Sequence, residues 1–166
     1  PSTTYYYRTF LEIDGNVTYY GKTLSITTPA VSLPTDNAAG VDLGGSVIWD
    51  VMNLGAAKVE DYGNYYAWGA KSAGYDVVTF EDAATAADAS KRVPTYSEIE
   101  ELQSLPQDAA FTYNGVKGVL FVAWSNTAIF FPYAGYKHEG TYANMQGKEA
   151  YYWSSTKNGS DDPKAY

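Results

Sequence analysis

The sequence predicts an α+β fold, and three observations carry that expectation. Residues 4–27 alternate with a strand-like period, two stretches between 79 and 106 carry helix-start signals, and the chain from residue 111 returns to apolar, β-rich runs. The chain has 166 residues and 45% apolar content, which is the size of one ordinary domain and enough to bury a core.

In the first segment, Tyr5, Tyr7, Thr9, Leu11 and Ile13 fall on one face, and Tyr6, Arg8, Phe10 and Glu12 on the other. Asp14-Gly15-Asn16 is a turn signal and Val17 to Tyr20 resumes the extended pattern. Residues 4–27 therefore read as a hairpin, with a further strand through Ile26. Thr28-Pro29 and Leu33-Pro34-Thr35-Asp36-Asn37 break the pattern as a linker. The expected organisation is an N-terminal hairpin and linker, 1–37, packed on a main domain, 38–166.

Residues 41–69 form a Gly-punctuated loop and strand region. A first helix is expected from Thr79 before Phe80, with Asp82 three positions on and Ala83, Ala84, Ala86 and Ala87 as helix formers. A second is better marked: Thr95 and Glu98 stand at capping-box spacing, Ile99, Leu102 and Leu105 make an apolar stripe, and Pro106 stops it. Val116 to Trp124 and Ala128 to Phe131 then read as strands separated by Ser125-Asn126-Thr127, and Tyr151-Tyr152-Trp153 as another. Trp49, Trp68 and Trp153 are expected in the core, and Gly44, Gly55, Gly63 and Gly69 at backbone turns. No internal repeat appears.

Composition removes whole classes of function. A net charge of −8, with Lys91-Arg92 as the basic pair, argues against binding a phosphate backbone or an anionic membrane, so no nucleic-acid partner is expected. No apolar run is long enough to span a bilayer, so no direct membrane insertion is expected. Pro1-Ser2-Thr3-Thr4 lacks the basic and apolar regions of a signal peptide. The absence of cysteine excludes disulfides, zinc–thiolate sites and cysteine catalysis. His138 is the single histidine, no G-x-S-x-G elbow precedes it, and no phosphate-binding glycine loop is present. The acid groups Glu60-Asp61, Glu81-Asp82, Glu98 with Glu100-Glu101, and Asp161-Asp162 read as solvated faces. Asp161-Asp162 beside Asn158 also offer oxygen ligands of the kind calcium takes, but the lectin-type calcium signature is missing and Trp124-Ser125-Asn126 only echoes its strand. The reading is therefore not an enzyme, with no cofactor and no metal.

Several blocks, taken together and in order, resemble a known family. They are Val41-Asp42-Leu43-Gly44-Gly45-Ser46-Val47-Ile48-Trp49, Asn53-Leu54-Gly55-Ala56, Glu60-Asp61-Tyr62-Gly63-Asn64-Tyr65-Tyr66-Ala67-Trp68-Gly69, Arg92-Val93-Pro94-Thr95, Asn114-Gly115-Val116-Lys117-Gly118, Ile129 to Tyr136, and Tyr152-Trp153-Ser154-Ser155-Thr156. The family has the C-type lectin fold of the formylglycine-generating-enzyme type. It includes bacterial fimbrial tip and surface proteins and the variable proteins of diversity-generating retroelements. The resemblance covers residues 41–156, leaves 1–37 outside, and implies a C-type lectin-like fold with two helices and several short antiparallel strands after an N-terminal β-hairpin. It also implies adhesion or receptor recognition at an extracellular, cell-surface or virion-surface location, bacterial or phage.

Residues 133–151 differ in kind from these framework blocks. They mix aromatic, polar and charged side chains without helical or strand period, as a binding surface of tyrosine anchors and adaptable polar groups does. The 17 tyrosines suit that use, although tyrosine is also a good strand residue. The family places its variable positions here. The candidate ligand contacts are Tyr136, Lys137, His138, Glu139, Tyr142, Asn144, Gln146, Lys148, Glu149 and Tyr151, with Lys157, Asn158, Ser160 and Asp161 in a neighbouring loop. The partner expected is a protein or other macromolecule on a target surface. The rival reading is a structural or fimbrial tip domain assembling by strand addition through its Tyr-rich hairpin.

Overall fold

The alternating N-terminal segment forms one antiparallel ribbon in the computed structural model, which describes residues 2–15, 17–70, 82–138, 141–142, 145–158 and 162–165. Strand β1 (Thr4–Tyr7) pairs with β4 (Leu24–Thr27), and β2 (Phe10–Ile13) with β3 (Val17–Tyr20). The Gly21 N–H donates to the Thr9 carbonyl at 2.9 Å and joins the two ladders. Tyr7 faces Leu24 while Phe10 faces Tyr20, so the return strand carries one extra residue, a bulge of Lys22 and Thr23 against Arg8. Asp14 and Gly15 turn the chain at φ 53° and 69°.

This register sorts the ribbon into two faces. One carries the pairs Tyr5–Ile26, Tyr7–Leu24 and Leu11–Tyr19, followed by Ile13. The other carries Thr4–Thr27, Tyr6–Ser25, Phe10–Tyr20 and Glu12–Thr18, with the Arg8 guanidinium 3.6 Å above the Tyr20 ring. The ribbon belongs to one compact unit, Pro1–Ser32, and the remainder, Leu33–Tyr166, is a second. Residues 33–37 fall in the second unit for a physical reason. The Asp36 carboxylate accepts from the Val59 N–H at 2.7 Å, and the Tyr113 hydroxyl donates to the Pro34 carbonyl at 2.9 Å. The division therefore comes earlier than the linker pattern places it.

In the larger unit, β5 (Val41–Asp42) pairs with β6 (Ile48–Trp49) across a loop whose Ser46 donates twice to Glu101, at 3.0 and 2.7 Å. Helix α1 (Ala83–Ala87) starts at Asp82, whose carboxylate accepts from the Ala84 and Thr85 N–H groups at 2.9 and 3.0 Å. The cap of this helix is thus Asp82. The expected start at Thr79 and Phe80 lies outside the described residues. Helix α2 (Tyr96–Gln103) has the expected capping box at Thr95 and Glu98 and buries Ile99 and Leu102.

Strands β7 (Gln107–Tyr113), β8 (Val116–Val122) and β9 (Ala128–Pro132) form the largest sheet, in that order and antiparallel. Asn114-Gly115 closes the first hairpin with φ 46° and 87°, the left-handed pair that a two-residue turn requires. Strand β7 begins earlier than the apolar pattern suggested. Gln107 and Asp108 already pair with Phe121 and Leu120, and the ladder shifts register across Ala109 and Ala110 before it resumes at Phe111 opposite Gly118. Leu120, Phe121, Ala128, Ile129 and Phe130 make this sheet the centre of the core. The remaining strands are β10 (Lys137–His138) paired with β11 (Thr141–Tyr142), and β12 (Trp153–Asn158) paired with β13 (Asp162–Ala165).

Small antiparallel sheets with two short helices among the described residues make this an α+β chain, the class the sequence predicts. Two expectations need correction. The strand read at Tyr151-Tyr152-Trp153 begins only at Trp153 and runs to Asn158. Trp49, Trp68 and Trp153 are half-buried and not fully enclosed. The indole N–H groups of Trp68 and Trp153 donate to the Ser154 and Tyr66 carbonyls, at 2.8 and 2.9 Å, which satisfies the polar atom that each ring carries into the fold.

Candidate functional site

The framework motifs hold the segment that sequence reasoning singled out. Tyr152 anchors its far end: the hydroxyl donates to the Pro132 carbonyl at 2.9 Å and accepts from the Asn53 amide at 3.0 Å, while the ring stands edge-on to Phe131 at 5.1 Å. Burial there drives the phenol pKa well above its ordinary value. At the near end the chain turns at Gly135, with φ 66°. A Cβ at Gly135 would lie 2.7 Å from the Gln146 backbone nitrogen, so only glycine lets the two strands of chain approach. The Gly135 N–H donates to the Glu149 carbonyl at 2.8 Å, the Gly147 N–H to the Tyr133 carbonyl at 2.7 Å, and Gly135 bridges Ala150 in parallel. A turn closes 145–149, with the Lys148 and Glu149 N–H groups both on the Met145 carbonyl at 2.9 Å.

On this frame the candidate residues fall into three groups. Tyr136 and Tyr151 are brought together: their rings meet edge to face at 5.0 Å, and each keeps 41% of its surface exposed. The Tyr151 hydroxyl donates to Glu149 at 2.5 Å, and that bond, with a smaller desolvation contribution, raises the phenol pKa. Gln146 donates to the Tyr65 hydroxyl at 3.2 Å, and Tyr65 in turn donates to the Ala134 carbonyl at 2.5 Å. Lys148 is exposed beside them.

The second group is placed by backbone register alone: Lys137 faces Tyr142, and His138 faces Thr141, in the β10–β11 hairpin. The third lies along β12, where the Lys157 ammonium sits 5.6 Å from the Trp68 ring centre and Asn158 faces Asp162. Tyr65 holds Gln146 and Trp68 meets Lys157. The stretch 65–68 therefore links the first and third groups over a backbone span of at most about 10 Å. Glu139, Asn144, Ser160 and Asp161 lie outside the described residues. Among the described residues no three His, Asp or Glu side chains gather as a metal site needs, and no helix is long and apolar enough to cross a membrane.

Sequence reasoning missed one surface feature. A cleft of about 580 Å³ lies between the Gly44-Gly45-Ser46 loop, the end of α2 and the turn at Trp124, and Trp124 is 86% exposed. Read in sequence, Trp124 stood as the last residue of a strand and as an echo of a calcium-lectin strand, whereas the strand ends at Val122. The signal that marks it is its place immediately before Ser125-Asn126-Thr127, where Asn126 takes φ 65° and the turn carries the indole outside the sheet.

No protein-family model, curated protein or solved structure matches this chain.

Proposed function

We propose that residues 33–166 are a C-type-lectin-like module that binds a macromolecular ligand without catalysis, in the manner of a retroelement-diversified variable protein. The ligand surface centres on Tyr136, Gln146, Lys148, Glu149 and Tyr151. One observation carries the reading: an exposed tyrosine pair rides on a segment whose backbone is fixed at Gly135–Ala150 and Gly147–Tyr133, so contacts can change while the frame stays. The resemblance in 41–156 supplies the fold type, the extracellular setting and the idea of diversification.

Two experiments test it. The DNA flanking the coding sequence should hold a reverse transcriptase gene and a template repeat that differs from the segment encoding 136–161 at adenines. Absence of both removes diversification from the proposal. Separately, the full chain is screened against arrays of bacterial-surface proteins and glycans, and each hit is remeasured with Tyr136→Ala and Tyr151→Ala. Loss of roughly five-fold or more in affinity is expected, corresponding to about 1 kcal/mol. Binding that ignores both changes and is lost on altering residues 4–20 would favour strand addition, to which the outer edges of the ribbon, unpaired among the described residues, lend themselves.

A further inference from the structure

The N-terminal ribbon presents a surface that the ligand-binding reading does not use. A two-stranded hairpin alone is marginally stable in water and needs further strands or a packed face. Here the pairs Tyr5–Ile26, Tyr7–Leu24 and Leu11–Tyr19, with Ile13, share one face, and every one of these side chains is between 46% and 60% exposed. Together they leave on the order of 700 Å² of largely apolar surface, above the 300–600 Å² typical of the largest patch on a monomer and close to the 800 Å² each partner gives to a standard interface.

No ionisable group other than the tyrosine hydroxyls lies among these seven side chains. Arg8 and Glu12 belong to the opposite face, Lys22 sits in the bulge and Asp14 in the turn. Arg8 and Lys22 balance Glu12 and Asp14, so residues 1–32 carry no net charge. A second copy of the ribbon therefore meets this one without repulsion. An acidic or basic partner would find no complementary charge on the face.

We infer that the Tyr5–Tyr7–Leu11 face is a homotypic interface: two copies of the chain stack these faces across a two-fold axis, in the aligned manner of packed sheets. The two-fold arrangement covers both faces and closes the assembly. The opposite face, with Arg8 over Tyr20 and the Thr4–Thr27 hydroxyl pair, stays toward solvent.

Sedimentation velocity or light scattering on the full chain over a concentration series reads the assembly directly. The expected mass is that of two chains. Leu11→Asp and Ile26→Asp, on the apolar face, should shift the dimer dissociation constant upward by at least about ten-fold. Phe10→Asp, equally apolar and exposed on the other face, should leave it within about two-fold. Near-ultraviolet circular dichroism follows the fold of the larger unit in each variant. A chain that stays monomeric at every concentration overturns the inference, as does an assembly larger than two, or dissociation by Phe10→Asp as strong as by Leu11→Asp. None of these results bears on ligand binding at Tyr136 and Tyr151, which is measured separately.

Discussion

Tyr151 and Tyr152 are neighbours in sequence with opposite roles, and the difference is visible in what each hydroxyl touches. Tyr151 leans on Tyr136 and donates a hydrogen bond to the surface carboxylate of Glu149, so Tyr151→Ala should lower stability by less than about 1 kcal/mol, the scale of one aromatic pair. Tyr152 joins the Asn53 amide to the Pro132 carbonyl. Tyr152→Phe leaves both without that partner and should lower stability by about 1–3 kcal/mol. Denaturant titration of the two purified variants measures both, and a Tyr151 loss equal to that of Tyr152 would make Tyr151 a core residue. Trp153 gives a further check. Its half-burial and single hydrogen bond to Tyr66 place Trp153→Ala near the lower end of the range for emptying an aromatic site, about 3 kcal/mol. A loss below about 1 kcal/mol would remove it from the framework.

At the scale of elements, α2 shows how local chemistry and docking combine. Glu98 accepts from the Thr95 N–H at 2.7 Å to complete the capping box and from both terminal nitrogens of Arg92, at 2.8 and 2.5 Å. The Arg92 bonds, ahead of the contacts with Thr95, hold its carboxyl at about 2, below the ordinary 4.5. A depressed folded-state pKa contributes stability that is present above about 4.5 and lost as pH falls toward about 2. The fall in melting temperature across that window should therefore be smaller in Glu98→Gln than in the parent chain, and an equal fall in both would contradict the assignment. This helix was legible in the sequence because its cap, its stripe and its stop are local. Its docking was not: the Ser155 N–H and hydroxyl reach the Pro94 carbonyl at 2.8 and 3.2 Å, and Thr156 accepts from the Tyr96 N–H at 3.0 Å. Those partners lie about sixty residues away, where spacing carries no information. The same holds for the candidate surface. Its composition set 136–151 apart, but the pairing of Tyr136 with Tyr151 and of Gln146 with Tyr65 depends on the close approach at Gly135, which no local pattern announces.

Across the whole molecule, charge is segregated. Residues 1–32 are neutral, so the full −8 resides on 33–166. Two chains joined through their ribbons hold two like-charged bodies in one assembly. Repulsion between such bodies is screened by salt, with a screening length of about 10 Å at 0.1 M and 3 Å at 1 M. Ionic strength thus becomes a control on assembly: added salt weakens the repulsion while leaving the apolar contact intact. The dimer should tighten as sodium chloride is raised, the reverse of an interface held by ion pairs, and a chain sampled in dilute buffer would look more monomeric than the same chain in a saline surrounding.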